Sequence, residues 1–170
     1  MSIARLVEQK PVAMKKLILF LPPEKKGQSL VEFAISLTVM LILLAGTVDF
    51  GIGLFHYIAM REAAQEGALY GSIAPPPYAG NFNCPNRNIA EICARVVNSS
   101  GGSGIIKKIY DAGMAITVAV PDGACEGKGI TVTLLYEYPI TMPFMSAVLG
   151  SNHIRLQASV TDVILTPPCP

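Results

Sequence analysis

Between Phe33 and Val48 the chain carries no charged residue, and the apolar run starts at Leu30 and continues beyond Asp49. A helix of about 16 residues at ~1.5 Å each covers ~24 Å. Carried on to Ala59, with Asp49 as its only formal charge, it is long enough to cross a ~30 Å hydrocarbon layer. The pattern predicts one membrane-inserted helix over residues 30–58. The stretch HYIAMREAAQEGALYGSIA then keeps helical composition, with Ala59, Ala63, Gly67 and Gly71 at every fourth position. That spacing stacks four small side chains into a ridge that invites close packing, by the chain's own domain or by a helix of another subunit. Gly71 and Pro75-Pro76-Pro77 end the helix, because successive prolines remove backbone donors and force the chain to extend.

The second half reads as a small α+β domain. In PNRNIAEICARVVNSS, the residues Ile89, Ile92, Cys93, Val96 and Val97 share one face, which predicts a short helix from about Asn86 to Val97. Ser99 to Gly104 is a Gly/Ser connector; it lacks the GK[ST] ending of a phosphate-binding loop. Strands are expected over Met114–Val120, Gly129–Tyr138 and His153–Leu165, and a short helix over Thr141–Leu149. The fold class is therefore α+β: a long amino-terminal helix, then an antiparallel sheet of three or four strands against the helix of residues 86–97 and the outer part of the long helix.

Charge gives the apolar helix a direction. Residues 1–27 hold Arg5, Lys10, Lys15, Lys16, Lys25 and Lys26 against only Glu8 and Glu24, and their apolar patch Leu17–Leu21 is cut short by Pro22-Pro23. They read as a leader rather than as part of a domain, with Met14 as an alternative start. By the positive-inside rule the amino terminus is cytoplasmic and the remainder lies outside a membrane crossed once. A net charge of +1 with no outer basic cluster gives no reason to expect nucleic acid as a partner.

The inner edge of the helix carries the most specific signal. Lys25 and Lys26 precede Gly27, and Glu32 is the fifth residue after that glycine. A carboxylate at the centre of a membrane helix costs roughly 2.5–3.5 kcal/mol on insertion scales, so Glu32 needs an interfacial position or a partner. The run Gly27-Gln28-Ser29-Leu30-Val31-Glu32-Phe33 resembles the processing site of type IV pilin-like precursors. The wider GQSLVEFAISLTVMLILLAGTVDFG, followed by REAAQEGALYG, resembles the TadE-like family of tight-adherence (Flp/Tad) pilus systems, as does Asp49-Phe50-Gly51.

The resemblance implies cleavage after Gly27 by a prepilin peptidase, with Gln28, where type IV pilins carry an aromatic, as the new terminus. It implies that Glu32 neutralises the terminal amine of a neighbouring subunit, which offsets the cost of burying either charge alone. The partners so implied are the peptidase, other pilin subunits or assembly-platform proteins, and membrane lipid, in a homo-oligomer or as a minor filament component. The expected organisation is a leader over 1–27, the long helix over 28–74, a Pro-rich linker over 75–83 and an exported domain over 84–170. Asp49 is either an interfacial residue or a polar contact with a partner helix.

Cys84, Cys93, Cys125 and Cys169 all follow the membrane helix, an even number on the outer side that points to disulfides. If Gly129–Tyr138 and His153–Leu165 pair antiparallel, the start of the first lies beside the end of the second and brings Cys125 to Cys169; Cys84 and Cys93 are then left to pair. None forms a CxxC pair, which argues against zinc, and no cofactor is expected. The chain has no nucleophile elbow, no HExxH and no paired carboxylates in an evident pocket segment. An enzyme is not expected. The alternative to a pilin-like subunit is an uncleaved bitopic membrane protein with an exported partner-binding domain.

Overall fold

The computed structural model describes residues 27–99, 104–141 and 150–169. The expected leader up to residue 26, most of the Gly/Ser connector and the expected helix beyond Thr141 lie outside the described residues. The chain divides into two compact units, with the boundary between Ile42 and Leu43.

Helix α1 spans Gln28–Ile73. In the first unit its residues are exposed throughout, from Leu30 to Ile42. Thr38 is held there without breaking the helix, because its hydroxyl donates to the Ala34 carbonyl at 2.8 Å.

In the second unit, the large apolar residues of α1 stay exposed to Ile58 while Gly46, Asp49, Gly53 and His56 are half-buried, and the helix then turns one face into a core. Ala59, Met60, Ala63, Ala64, Gly67, Ala68 and Gly71 are buried. The fold around them is a four-stranded antiparallel sheet in the order β1-β2-β3-β4, with β1 at Gly80–Asn83, β2 at Ala115–Val120, β3 at Gly129–Pro139 and β4 at His153–Val163. Strand β1 occupies the end of the stretch read as a linker, and its register sets Asn83 opposite Thr117. Strand β3 runs through Pro139 rather than stopping before it, and β4 ends at Val163, two residues short of the expected Leu165.

The helix expected from Asn86 to Val97 forms in two parts, a 3-10 turn at Arg87–Ile89 and helix α2 at Ala90–Val97. Asn86 opens it by accepting the Asn88 backbone N–H on its side-chain oxygen at 2.9 Å. A further helix, α3, spans Ile105–Asp111 and buries Ile106 and Ile109; it was not anticipated. It ends in a Schellman pair, with Gly113 N–H donating to Tyr110 at 3.0 Å and Met114 N–H to Ile109 at 3.1 Å. The turn needs Gly113 in the left-handed region, at φ +103°.

One sheet face packs on the helices through Ile116, Val118, Val120, Ile130, Val132 and Leu134. The other carries a hydroxyl and amide row across the strands, where Thr117 donates to Asn83 at 2.9 Å and Thr133 meets Ser159 at 3.0 Å. Two disulfides pin the edges of this unit. Cys84–Cys93 links the end of β1 to α2, and Cys125–Cys169 links the β2–β3 loop to the tail, with Cα separations of 6.0 and 5.0 Å. The tail also closes the carboxy-terminal end of α1. Leu165 N–H donates to the Ser72 carbonyl at 2.8 Å and the Thr166 hydroxyl to the Ile73 carbonyl at 2.9 Å, satisfying two acceptors the helix leaves open.

Candidate functional site

The amino end of α1 sets the first element of the site. Gly27 is exposed and stands just outside the helix, its carbonyl accepting the Val31 N–H at 3.2 Å. Helix therefore begins at Gln28, and the Gly27–Gln28 bond sits at its boundary rather than inside a regular turn. One turn on, Glu32 accepts a hydrogen bond from the Gln28 side-chain amide at 3.1 Å. The carboxylate is thus on the same helix face as Gln28, the first residue of the helix.

The second element is apolar surface. Every Leu, Ile, Val, Phe and Met from Leu30 to Ile58 is exposed. Burying one such side chain is worth about 1.5–3 kcal/mol, so a run of this length left in water would be untenable. Helix α1 is long and apolar enough to cross a membrane.

The third element is the small-residue ridge, and the structure gives it an occupant. Ala59, Ala63, Gly67 and Gly71 face the sheet and α2 of their own unit. A Cβ on Gly67 would collide with Val96, and one on Gly71 would lie 2.5 Å from Ile130 Cδ1. Arg95 of α2 stacks over the Tyr70 ring at 5.1 Å and adds a cation–π contact to the same seam. By contrast, a Cβ on Gly51 meets nothing within 4 Å. The sequence spacing located the ridge but could not say what fills it, since that depends on where the sheet docks.

Asp49 lies apart from that ridge, on the edge of an apolar groove between α1 and the ends of β3 and β4. The groove has a volume of about 290 Å³, and its lining includes Phe50, Leu54, Tyr57, Tyr138, Ile140 and Ile154. The Tyr138 ring lies beside Gly53 and would sit 3.7 Å from a Cβ there, an ordinary packing distance. Next to it His56, whose Nδ1 is 2.7 Å from the Ile52 carbonyl oxygen, stands 5.3 Å from the Tyr138 ring and 6.3 Å from that of Tyr136. Burial and then the charge of Asp49 push the Tyr138 hydroxyl above its usual range, against a hydrogen bond with Thr141 that lowers it. Sequence reasoning missed this cluster. The only signal for it was a pair of tyrosines two apart at the end of a strand, and their meeting with His56 is long-range.

All four cysteines are consumed in disulfides, and among the described residues no group of three or more His, Cys, Asp or Glu side chains is placed to hold a metal ion. The described residues offer an apolar helix long enough to cross a membrane, a carboxylate near its start, and a packed domain in the second unit. No curated protein and no solved structure matches the chain at a significant level. Residues 27–69, running from the exposed glycine through the apolar surface into the small-residue ridge, match the family model of the TadE-like proteins.

Proposed function

We propose that the chain is a pilin-like structural or assembly subunit of a Tad/Flp-type pilus, cut after Gly27 by a prepilin peptidase and packed through α1. The family match supports an association with Tad pilus systems. The observation that carries the finer reading is the division of labour along α1. The helix starts at Gln28, the first residue after the expected cut, and its apolar side chains are uncovered until Ile58, where burial in its own fold takes over. A helix that only anchored a domain would need the apolar surface and nothing at its start. Glu32 sits one turn inside the expected terminus, its carboxylate bonded to the Gln28 side chain, which supports a role for it beside the amine that cleavage would create.

The mechanism is packing. Removing the leader strips six basic residues, Arg5 to Lys26, from the cytoplasmic side and lowers the electrostatic hold on that leaflet. An amine–carboxylate pair between neighbouring subunits then lets both charges enter an apolar bundle together, where either alone would be costly. The exported domain stays outside the bundle, held by the ridge from Ala59 to Gly71.

Glu32→Ala tests the pairing. Membrane insertion of the variant should equal that of the parent, because the apolar run is untouched, while recovery in sheared filament or platform fractions falls severalfold. Parental recovery of Glu32→Ala would overturn the role of that carboxylate.

A further inference from the structure

The groove beside Asp49 lies where a membrane would end. About 20 helical residues cross ~30 Å of hydrocarbon, so a span that starts near Leu30 reaches the outer hydrocarbon boundary near residue 49, and the rest of the stretch expected to be inserted, up to residue 58, falls in the interface. The helix side of the groove, from Gly46 to Tyr57, begins at that level. Its other wall is not helix but sheet, made by Tyr138 and Ile140 at the end of β3 and Ile154 and Leu156 at the start of β4. Ile154 is 43% exposed although it points to the helix-packed side of the sheet. An exposed phenol, Tyr57, stands at the groove, the residue type that collects at membrane–water boundaries because one end is apolar and the other wet.

We propose that this groove is a lipid site: it takes a segment of phospholipid acyl chain at the outer interface and seats the base of the sheet in the bilayer surface. The inference rests on the membrane-anchored reading of α1. Continuity carries it, because the apolar surface that meets lipid along the helix passes without a break onto Phe50 and Leu54 and from them across to Ile154. Size agrees. An apolar cavity of about 150 Å³ holds one benzene, so a groove of about twice that volume holds roughly a dozen carbons, the scale of part of an acyl chain. The helix surface at Gly53 is already in contact range of the chain's own Tyr138 ring. A lipid in the groove fixes how deep the sheet sits and which sheet face looks outward, a constraint that a single helix alone does not give.

The chain contains no tryptophan, so one introduced indole reports from one place. The full chain carrying Ile154→Trp is reconstituted into phosphatidylcholine vesicles with or without brominated acyl chains. Ile140→Trp serves as a second reporter on the same wall, Gln157→Trp as an exposed control on the opposite sheet face, and Leu41→Trp as a control within the span. The two groove reporters should emit at short wavelength and lose most of their emission in brominated lipid, as Leu41→Trp does, while Gln157→Trp emits at long wavelength and is not quenched. Groove reporters that emit at long wavelength would put the groove in water, and short-wavelength emission that bromine leaves intact would mean that protein, a second copy included, covers it; either overturns the proposal while a quenched Leu41→Trp keeps the membrane reading. An unquenched Leu41→Trp would instead remove that reading itself.

Discussion

A methyl group added at Gly67 and one added at Gly51 should have opposite effects, though both are glycines of the same helix. Alanine in a helix interior is favoured over glycine by about 1 kcal/mol. At Gly67 that gain is set against overpacking, typically 1–3 kcal/mol, because the added Cβ meets Val96, which is itself fully buried, with Val132 and Ile92 close behind at 3.6 and 3.7 Å. Gly67→Ala should lower the stability of the second unit by up to about 2 kcal/mol in denaturant titration, whereas Gly51→Ala should leave it unchanged or raise it by up to ~1 kcal/mol. Tyr138 makes a separate prediction at the same scale. Its hydroxyl is raised in the folded chain, so the fold retains that proton where the unfolded chain has begun to lose it. The corresponding stabilisation is complete below the unfolded value of 10.0 and is lost as pH rises through the higher folded value. Tyr138→Phe should therefore flatten the decline of melting temperature above pH 10, a change read directly from thermal scans.

At the level of elements, the two disulfides should differ in what they hold. Closing a loop restricts the unfolded chain more as the loop lengthens, so the Cys125–Cys169 bridge across 44 residues is worth about 4 kcal/mol and Cys84–Cys93 across 9 about 3 kcal/mol on the chain-entropy account. Cys125→Ser with Cys169→Ser should also loosen the tail that closes α1, so amide exchange at Leu165, whose N–H is bound to the Ser72 carbonyl, should quicken more than exchange within α2. Slower or unchanged exchange at Leu165 would mean that the tail is held by its hydrogen bonds alone. The sequence was most legible where an element is long and its pattern unmixed: the apolar run that became α1, and GITVTLLYEY, whose alternation became β3. It was least legible in short elements. Helix α3 has seven residues, too few to display a period, and its strongest signal was the glycine that ends it. Strand β1 has four residues, of which only Phe82 is buried, so neither alternation nor length marked it out from the prolines before it.

For the whole molecule, one helix performs two tasks that its sequence distinguishes by side-chain size. Large apolar residues up to Ile58 stay uncovered, and the small ones from Ala59 onward are packed by the chain's own sheet. The spacing of Ala59, Ala63, Gly67 and Gly71 could be seen in the sequence, but choosing between the chain's own domain and another subunit required the sheet to be in place. The groove was not legible at all, since four of its ten lining residues lie some eighty or more positions beyond the helical ones. On the proposed reading, the surface open to other subunits lies on the exposed part of α1 that begins at Gln28, with Glu32 near its start.

The central claim is that this surface is released for assembly by a cut at Gly27. Intact mass with amino-terminal peptide mapping, without reduction, on protein from cells that carry the pilus machinery tests it most directly. The account predicts a terminus at Gln28 and a mass four hydrogens below that of the reduced chain, from the two disulfides. A terminus at Met1 or Met14 in those cells would contradict it and make the chain a bitopic membrane protein with an exported binding domain.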